Sequence, residues 1–232
     1  MKAETQEKIV ENNAKITKLL KENEYLAKSE GLNIPNENYA VAPAEKIQIP
    51  SGYIRVNEAF SSKYHLGEIV KSDAVRKNIA YSLQLSDLHN YIMNRIHIWG
   101  SVETMFIKSA VINLVSVMEA IVSECAENIC CNPSACTSIK TCPRHFNRNQ
   151  RAQPYLALEK MKELGIVDYD DSKMSRIKEI IDYRNRVHIR LAKDNEFKSA
   201  DFDIELYNEV MSLLADLAEK VYDNGVKLYN MC

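Results

Sequence analysis

Arg184 and His188 stand four residues apart in a strongly helical part of the chain, and that spacing turns both to one side of a helix. Arginine presents a planar fork of N–H donors that suits a phosphate, and histidine exchanges a proton near neutral pH. Asn185 between them has an amide that both donates and accepts, and could orient a ligand or cap a neighbouring group. On a wheel of about 100° per residue, Arg184 and His188 fall among Ile177, Ile181 and Leu191, whereas Arg186 and Arg190 point the opposite way. A cation and an imidazole on a packing face need partners. Two arrangements supply them. One is a cleft or subunit interface whose ligand, such as a phosphate, meets them. The other is a buried Arg–His pair satisfied by a carboxylate such as Glu119 or Glu124.

A second group lies earlier. Cys131, Cys136, Cys142 and His145 place three thiols and an imidazole within fifteen residues, a donor set that could close a tetrahedral zinc site. The paired Cys-x2-Cys of a strict zinc motif is absent, so a metal-free Cys-containing loop remains the other reading. Cys125 and Cys130 read as the inward face of a helix end, where cysteine acts as a small hydrophobe. Arg144, Arg148 and Arg151 follow with Phe146 among them, a pattern that could contact phosphate and stack a base, or simply form a solvated loop. His65, His89 and His97 read as solvated or hydrogen-bonded histidines, with His89 and His97 close enough in helical register to approach one another. Trp99, beside Gly100, reads as a core plug at a helix end.

The elements that must position these groups are helical. Residues 1–30 form a polar helix with a narrow seam: Ile9, Ile16 and Asn23 recur every seven residues, and Asn12, Leu19 and Leu26 form the second line. That pattern fits an oligomerising coiled-coil arm or an amphipathic helix packed on its own domain. Residues 31–71 read as an extended linker, with Pro35, Pro43 and Pro50 in its first part; short β pieces are conceivable at residues 46–49 and 53–56. From Ser72 onward the chain reads as mostly helical. Ser72 or Asp73 caps a helix to about residue 98, with Val75, Ile79, Leu85, Leu88, Ile92 and Ile96 inward. The next helix, residues 102–129, is apolar nearly all round and belongs at the centre of a bundle. An aperiodic insertion covers residues 130–150. A short helix over residues 154–164 then ends at Gly165, Asp171 or Ser172 caps the helix of Arg184, and a last helix spans about residues 203–224. The expected fold is all-α: an up-and-down bundle over residues 72–232 with an N-terminal helical arm and a Cys-containing insertion.

Two segments resemble the HEPN superfamily (higher eukaryote and prokaryote nucleotide-binding). Residues 177–188, Ile-Lys-Glu-Ile-Ile-Asp-Tyr-Arg-Asn-Arg-Val-His, are similar to that family's Arg-Asn…His helix. Residues 109–121 are similar to its earlier apolar helix with an acidic residue near the end, here Glu119. The likeness covers about residues 72–224. It implies a metal-independent endoribonuclease, a toxin or defence effector, working as a homodimer whose Arg–His helices face each other across a cleft. Arg184 would stabilise charge on the phosphate, His188 would transfer protons, and Asn185 would position one of them. No cofactor is implied for catalysis, and an antitoxin or defence protein is the implied partner. Several branches of the superfamily serve instead as binding or dimerisation modules. Three residues separate Arg184 from His188, where the family usually has four or more, and the common His position falls on Ile189.

Bulk properties are consistent with such a chain. Thirty Lys and Arg balance thirty-two Asp and Glu, so no overall basic field marks a nonspecific nucleic-acid binder. Six Gly and six Pro in 232 residues are too few for a turn-rich all-β protein. The first residues lack the apolar core of a signal peptide, and residues 111–122 are interrupted by Asn113, Ser116 and Glu119, which argues against a membrane span. The expectation is a cytoplasmic protein with no membrane contact, whose cysteines are thiols or metal ligands rather than disulfides.

Overall fold

The computed structural model describes residues 2–29, 52–129, 142, 144–185 and 202–229. Among the described residues there is no strand, and the fold is all-α. The chain divides into two compact units, Met1–Ile49 and Pro50–Cys232. In the first, α1 runs from Ala3 to Ser29, and its large apolar side chains, among them Ile9, Ile16, Leu19 and Leu26, are exposed. Glu4 in its first turn and Lys28 in its last complement the helix dipole.

The second unit is built around α5, Ser101–Ile129, which packs against α4 (Asp73–Arg95), α7 (Pro154–Glu163), α8 (Asp171–Asn185) and α9 (Ile204–Lys220). Ala110, Val111, Leu114, Val115, Ile121, Val122, Cys125 and Ala126 of α5 are at most 2% exposed. The helix is apolar all round because neighbours cover it on several sides. By length and composition alone α5 could cross a membrane, contrary to the expectation from its three polar interruptions; its apolar surface here is the centre of the core.

The expected linker over residues 31–71 is not extended throughout. Two short helices, α2 (Asn57–Lys63) and α3 (Leu66–Ile69), carry Phe60, Tyr64, Leu66, Ile69 and Val70 into the core. Phe60 and Tyr64 are spaced to share a helix face, but each helix is too short to show a sustained period. His65 joins them in a left-handed conformation, φ 51°, with its ring stacked 3.9 Å from that of Tyr222. Residues 53–56 form no strand; residues 46–49 lie outside the described residues.

Ser72 caps α4 through a bond from the Val75 amide and ties it to α5, its own amide donating to Glu124 Oε2 at 3.4 Å. The inward face of α4 matches the expected one only in part. Ile79 is buried and Val75 packs against the core as expected, and Leu88 and Ile92 are half-buried, whereas Leu85 and Ile96 face solvent and Ala80, Leu83, Ser86, Asp87 and His89 are buried as well. The helix ends at Arg95, and Trp99 is 76% exposed rather than plugging the core. An apolar count along α4 misses this because Ser86, Asp87 and His89 are buried there, each with a hydrogen bond from outside the helix.

The end of the expected aperiodic insertion is helical: α6, Arg148–Ala152, begins with a reciprocal capping box between Asn147 and Gln150. Gly165 follows α7 with φ +71°, the left-handed geometry that ends a helix. Asp170, not Asp171 or Ser172, accepts the Lys173 amide at the start of α8. Asp203 caps α9 through the Leu206 amide. Beyond α9 the chain widens into a π-helical turn, Val221–Gly225, and continues as α10, Val226–Tyr229. A Cβ at Gly225 would stand 3.3 Å from Val221 Cγ1 in the same turn and in ordinary contact, 3.4 Å, with Cys125 Sγ of α5.

Candidate functional site

The helix that carries Arg184 is anchored before it reaches it. Met174, Ile177, Ile180 and Tyr183 of α8 are buried, and ion pairs fasten its outer side to α9. Lys173 Nζ lies 2.8 Å from Asp216, and Arg176 forms a two-pronged contact with Glu209 at 2.9 and 2.7 Å. The buried stripe therefore runs through Ile177 and Ile180, and Arg184 sits at its edge in the last turn rather than in its middle.

At that edge Arg184 Nε lies 3.1 Å from Glu119 Oε2 on α5. The environments of the partners differ: the Arg184 side chain is 53% exposed and that of Glu119 only 11%. Burial pushes the Glu119 carboxyl above the usual carboxylate range, and the Arg184 charge pulls it back in part. The contact runs through Nε, and about half of the Arg184 side chain stays exposed. Glu124, the other candidate partner, faces the start of α4 through Ser72 instead. Below the pair, the cavity between α5, α7, α8 and α9 measures only about 10 Å3, room for at most one water. A ligand of Arg184 must bind at the surface, not inside the bundle.

Asn185 is the last described residue of α8, and His188 lies outside the described residues. The structure therefore places Arg184 and Glu119 together and does not report on the Arg184–His188 spacing.

The cysteine group is described only in part. Cys131, Cys136 and Cys130 lie outside the described residues. Cys142 is partly buried, and the His145 amide donates to its carbonyl at 3.1 Å, so one turn carries both. Among the described residues no three His, Cys, Asp or Glu side chains gather as a metal site. Cys125 is fully buried, and burial pushes its thiol up to about 12.

Arg148 and Arg151, with His145, Phe146 and Ala152, line an open concavity of about 460 Å3. Arg148 is exposed and Arg144 partly so; Arg151 Nε donates to the Phe146 carbonyl at 3.0 Å. Phe146 itself is 0% exposed, so it anchors the loop to the core and cannot stack a base, contrary to the sequence expectation.

No protein-family model, curated protein or solved structure matches the chain. The case for any site accordingly rests on residue chemistry and geometry.

One polar cluster had no counterpart in the sequence reading. Asp87, 9% exposed at its side chain, accepts from the Arg55 amide at 3.0 Å and from Arg55 Nε at 2.9 Å, and also pairs with the terminal guanidinium nitrogen. Burial raises the Asp87 carboxyl, but these bonds outweigh it and hold the group below its usual range. Arg55 stacks over Phe60 at 4.6 Å, so the cluster ties the entry segment to α4. The available signal was an acidic residue at a core position of α4, four after Leu83. His89, two residues further on, is turned toward α5 instead, with Nε2 3.3 Å from Ser109 Oγ and its ring edge-on to Phe106. His97 is exposed beyond the helix end, so the two histidines do not share a face.

Proposed function

We propose that this chain is a HEPN-like endoribonuclease that needs no metal for catalysis and acts at a cleft shared by two copies. The observation that carries it is the Arg184–Glu119 contact, because it joins the two segments whose sequences resemble that superfamily. An acidic residue on the central helix meets an arginine on a neighbouring helix, and the arginine's side chain is about half exposed. That arrangement suits a phosphate approaching from solvent.

In this scheme the ribose 2′-oxygen attacks the adjacent phosphorus and the bond to the 5′-oxygen breaks. His188 takes the 2′-hydroxyl proton or supplies one to the leaving oxygen. Arg184 offsets charge on the pentacoordinate phosphate, and Asn185 orients one of them. The products are a 2′,3′-cyclic phosphate and a 5′-hydroxyl end. The proposal includes a cytoplasmic homodimer, RNA contacts from Arg144, Arg148 and Arg151, and an antitoxin or defence protein as partner. It also includes a structural zinc at Cys131, Cys136, Cys142 and His145, with about one metal per chain expected by elemental analysis of tag-free protein; substoichiometric zinc rejects that part.

A second function, a non-catalytic nucleotide-binding or dimerisation module, is favoured by the three-residue Arg–His separation, since one residue turns a helical side chain by about 100°. End-group analysis of RNA incubated with purified protein without added Mg2+ separates the two. Cyclic phosphate ends support the nuclease. Intact RNA beside a persisting dimer supports the module, and cleavage that requires a divalent ion contradicts the assignment of His188.

A further inference from the structure

We infer that α1 pairs with α1 of a second copy as an antiparallel coiled coil in one register. The starting observation is a helix of 27 residues, about 40 Å long, whose seam residues Ile9, Ile16, Leu19 and Leu26 are 44–59% exposed. An isolated helix with exposed apolar residues at heptad spacing gains most of its stability from a partner carrying the same seam.

The order of residues along the seam selects the partner and its direction. In an antiparallel pair, each position of the first line (Ile9, Ile16, Asn23) meets one of the second (Asn12, Leu19, Leu26). Setting Ile16 against Leu19 of the second copy brings Ile9 against Leu26 and Asn23 against Asn12. Every apolar residue then meets an apolar one, and every amide meets an amide that can satisfy it. Sliding by one heptad in either direction sets an Asn against Ile or Leu, which leaves a polar group buried without a partner. The asparagines thus weaken the coil but fix its register.

Flanking charges decide between antiparallel and parallel. In the antiparallel register, Lys15 stands beside Glu22 of the second copy, and two-fold symmetry repeats the pair. A parallel coil instead sets Lys8 by Asn13, Lys15 by Leu20 and Glu22 by Ala27, with no opposite charges facing. Charge complementarity therefore favours the antiparallel form, with a second copy of this chain as its occupant. This pairing is independent of the nuclease function, since α1 can associate whether or not RNA is cleaved.

The test uses the full chain. An Ile9→Cys variant mixed with a Leu26→Cys variant under mild oxidation is expected to give a 9–26 intermolecular disulfide, read by peptide mass spectrometry against the native cysteines. A 9–9 linkage in the first variant alone indicates a parallel coil and overturns the proposal, as does the lack of any linkage through either position. In sedimentation, Lys15→Glu is expected to weaken association roughly tenfold, since two attractive pairs become repulsive. The Lys15→Glu, Glu22→Lys double variant is expected to return to within about twofold of the original. An unchanged dissociation constant in the single variant, or no recovery in the double, also overturns it.

Discussion

Arg184 and Arg55 each meet a carboxylate of low exposure, yet the two pairs do different work. Arg184 approaches Glu119 through one nitrogen and keeps half of its side chain in water. Arg55 encloses Asp87 with two side-chain nitrogens and its own amide. Removing Arg184 leaves a carboxyl that burial already makes easy to protonate, so neutralisation limits the penalty. Arg184→Ala is expected to cost less than about 1 kcal/mol of stability. Arg55→Met strands a charge that these bonds hold ionised, and is expected to cost on the order of 2 kcal/mol. Paired denaturant titrations check this; an Arg184→Ala loss as large as that of Arg55→Met would make the Arg184 pair structural and remove the argument for an exposed phosphate-binding cation. The identity of Glu119 as a partner was legible in the sequence, since it was one of two carboxylates within reach. The exposure of Arg184 was not, because its position at the edge of the stripe depends on how α8 rolls onto α5.

At the scale of elements, the strongly periodic helices were readable and the short or partly polar ones were not. α5 and α9 stand close to their expected spans because each has a long apolar face and a clear boundary. α2 and α3 escaped notice because one or two helical turns show no sustained period, and their stability comes from burying Phe60, Tyr64 and Leu66 rather than from propensity. The face of α4 was read only in part, through Val75 and Ile79, because Ser86, Asp87 and His89 also occupy core positions. That polar stripe has a pH consequence. Burial pulls His89 below the ordinary histidine range, so the unfolded chain takes up its proton more readily than the folded one. Its contribution is fully present above about pH 6.5 and is lost as pH falls through that value toward the folded one. His89→Gln, which keeps a polar group opposite Ser109, is expected to flatten the stability profile between about pH 7 and 5. Parallel profiles for the two proteins in urea titrations at each pH would show that His89 titrates normally in the fold.

For the whole molecule, the all-α architecture follows from low Gly and Pro content and from one helix apolar enough to be surrounded. The bundle supplies a rigid frame: α5 carries Glu119, α8 carries Arg184, and ion pairs to α9 hold α8 in place. The near absence of a cavity beneath the site directs a ligand to the surface, and a surface site becomes a cleft when a second copy faces it. The central claim is that this surface performs phosphodiester chemistry with Arg184 and His188. The most direct measurement is single-turnover cleavage of a labelled single-stranded RNA without added divalent metal, comparing the wild type with His188→Ala and Arg184→Ala proteins of matched stability. We predict cleavage by the wild type and a loss of at least about a hundredfold in each variant; equal rates in all three proteins would contradict the claim.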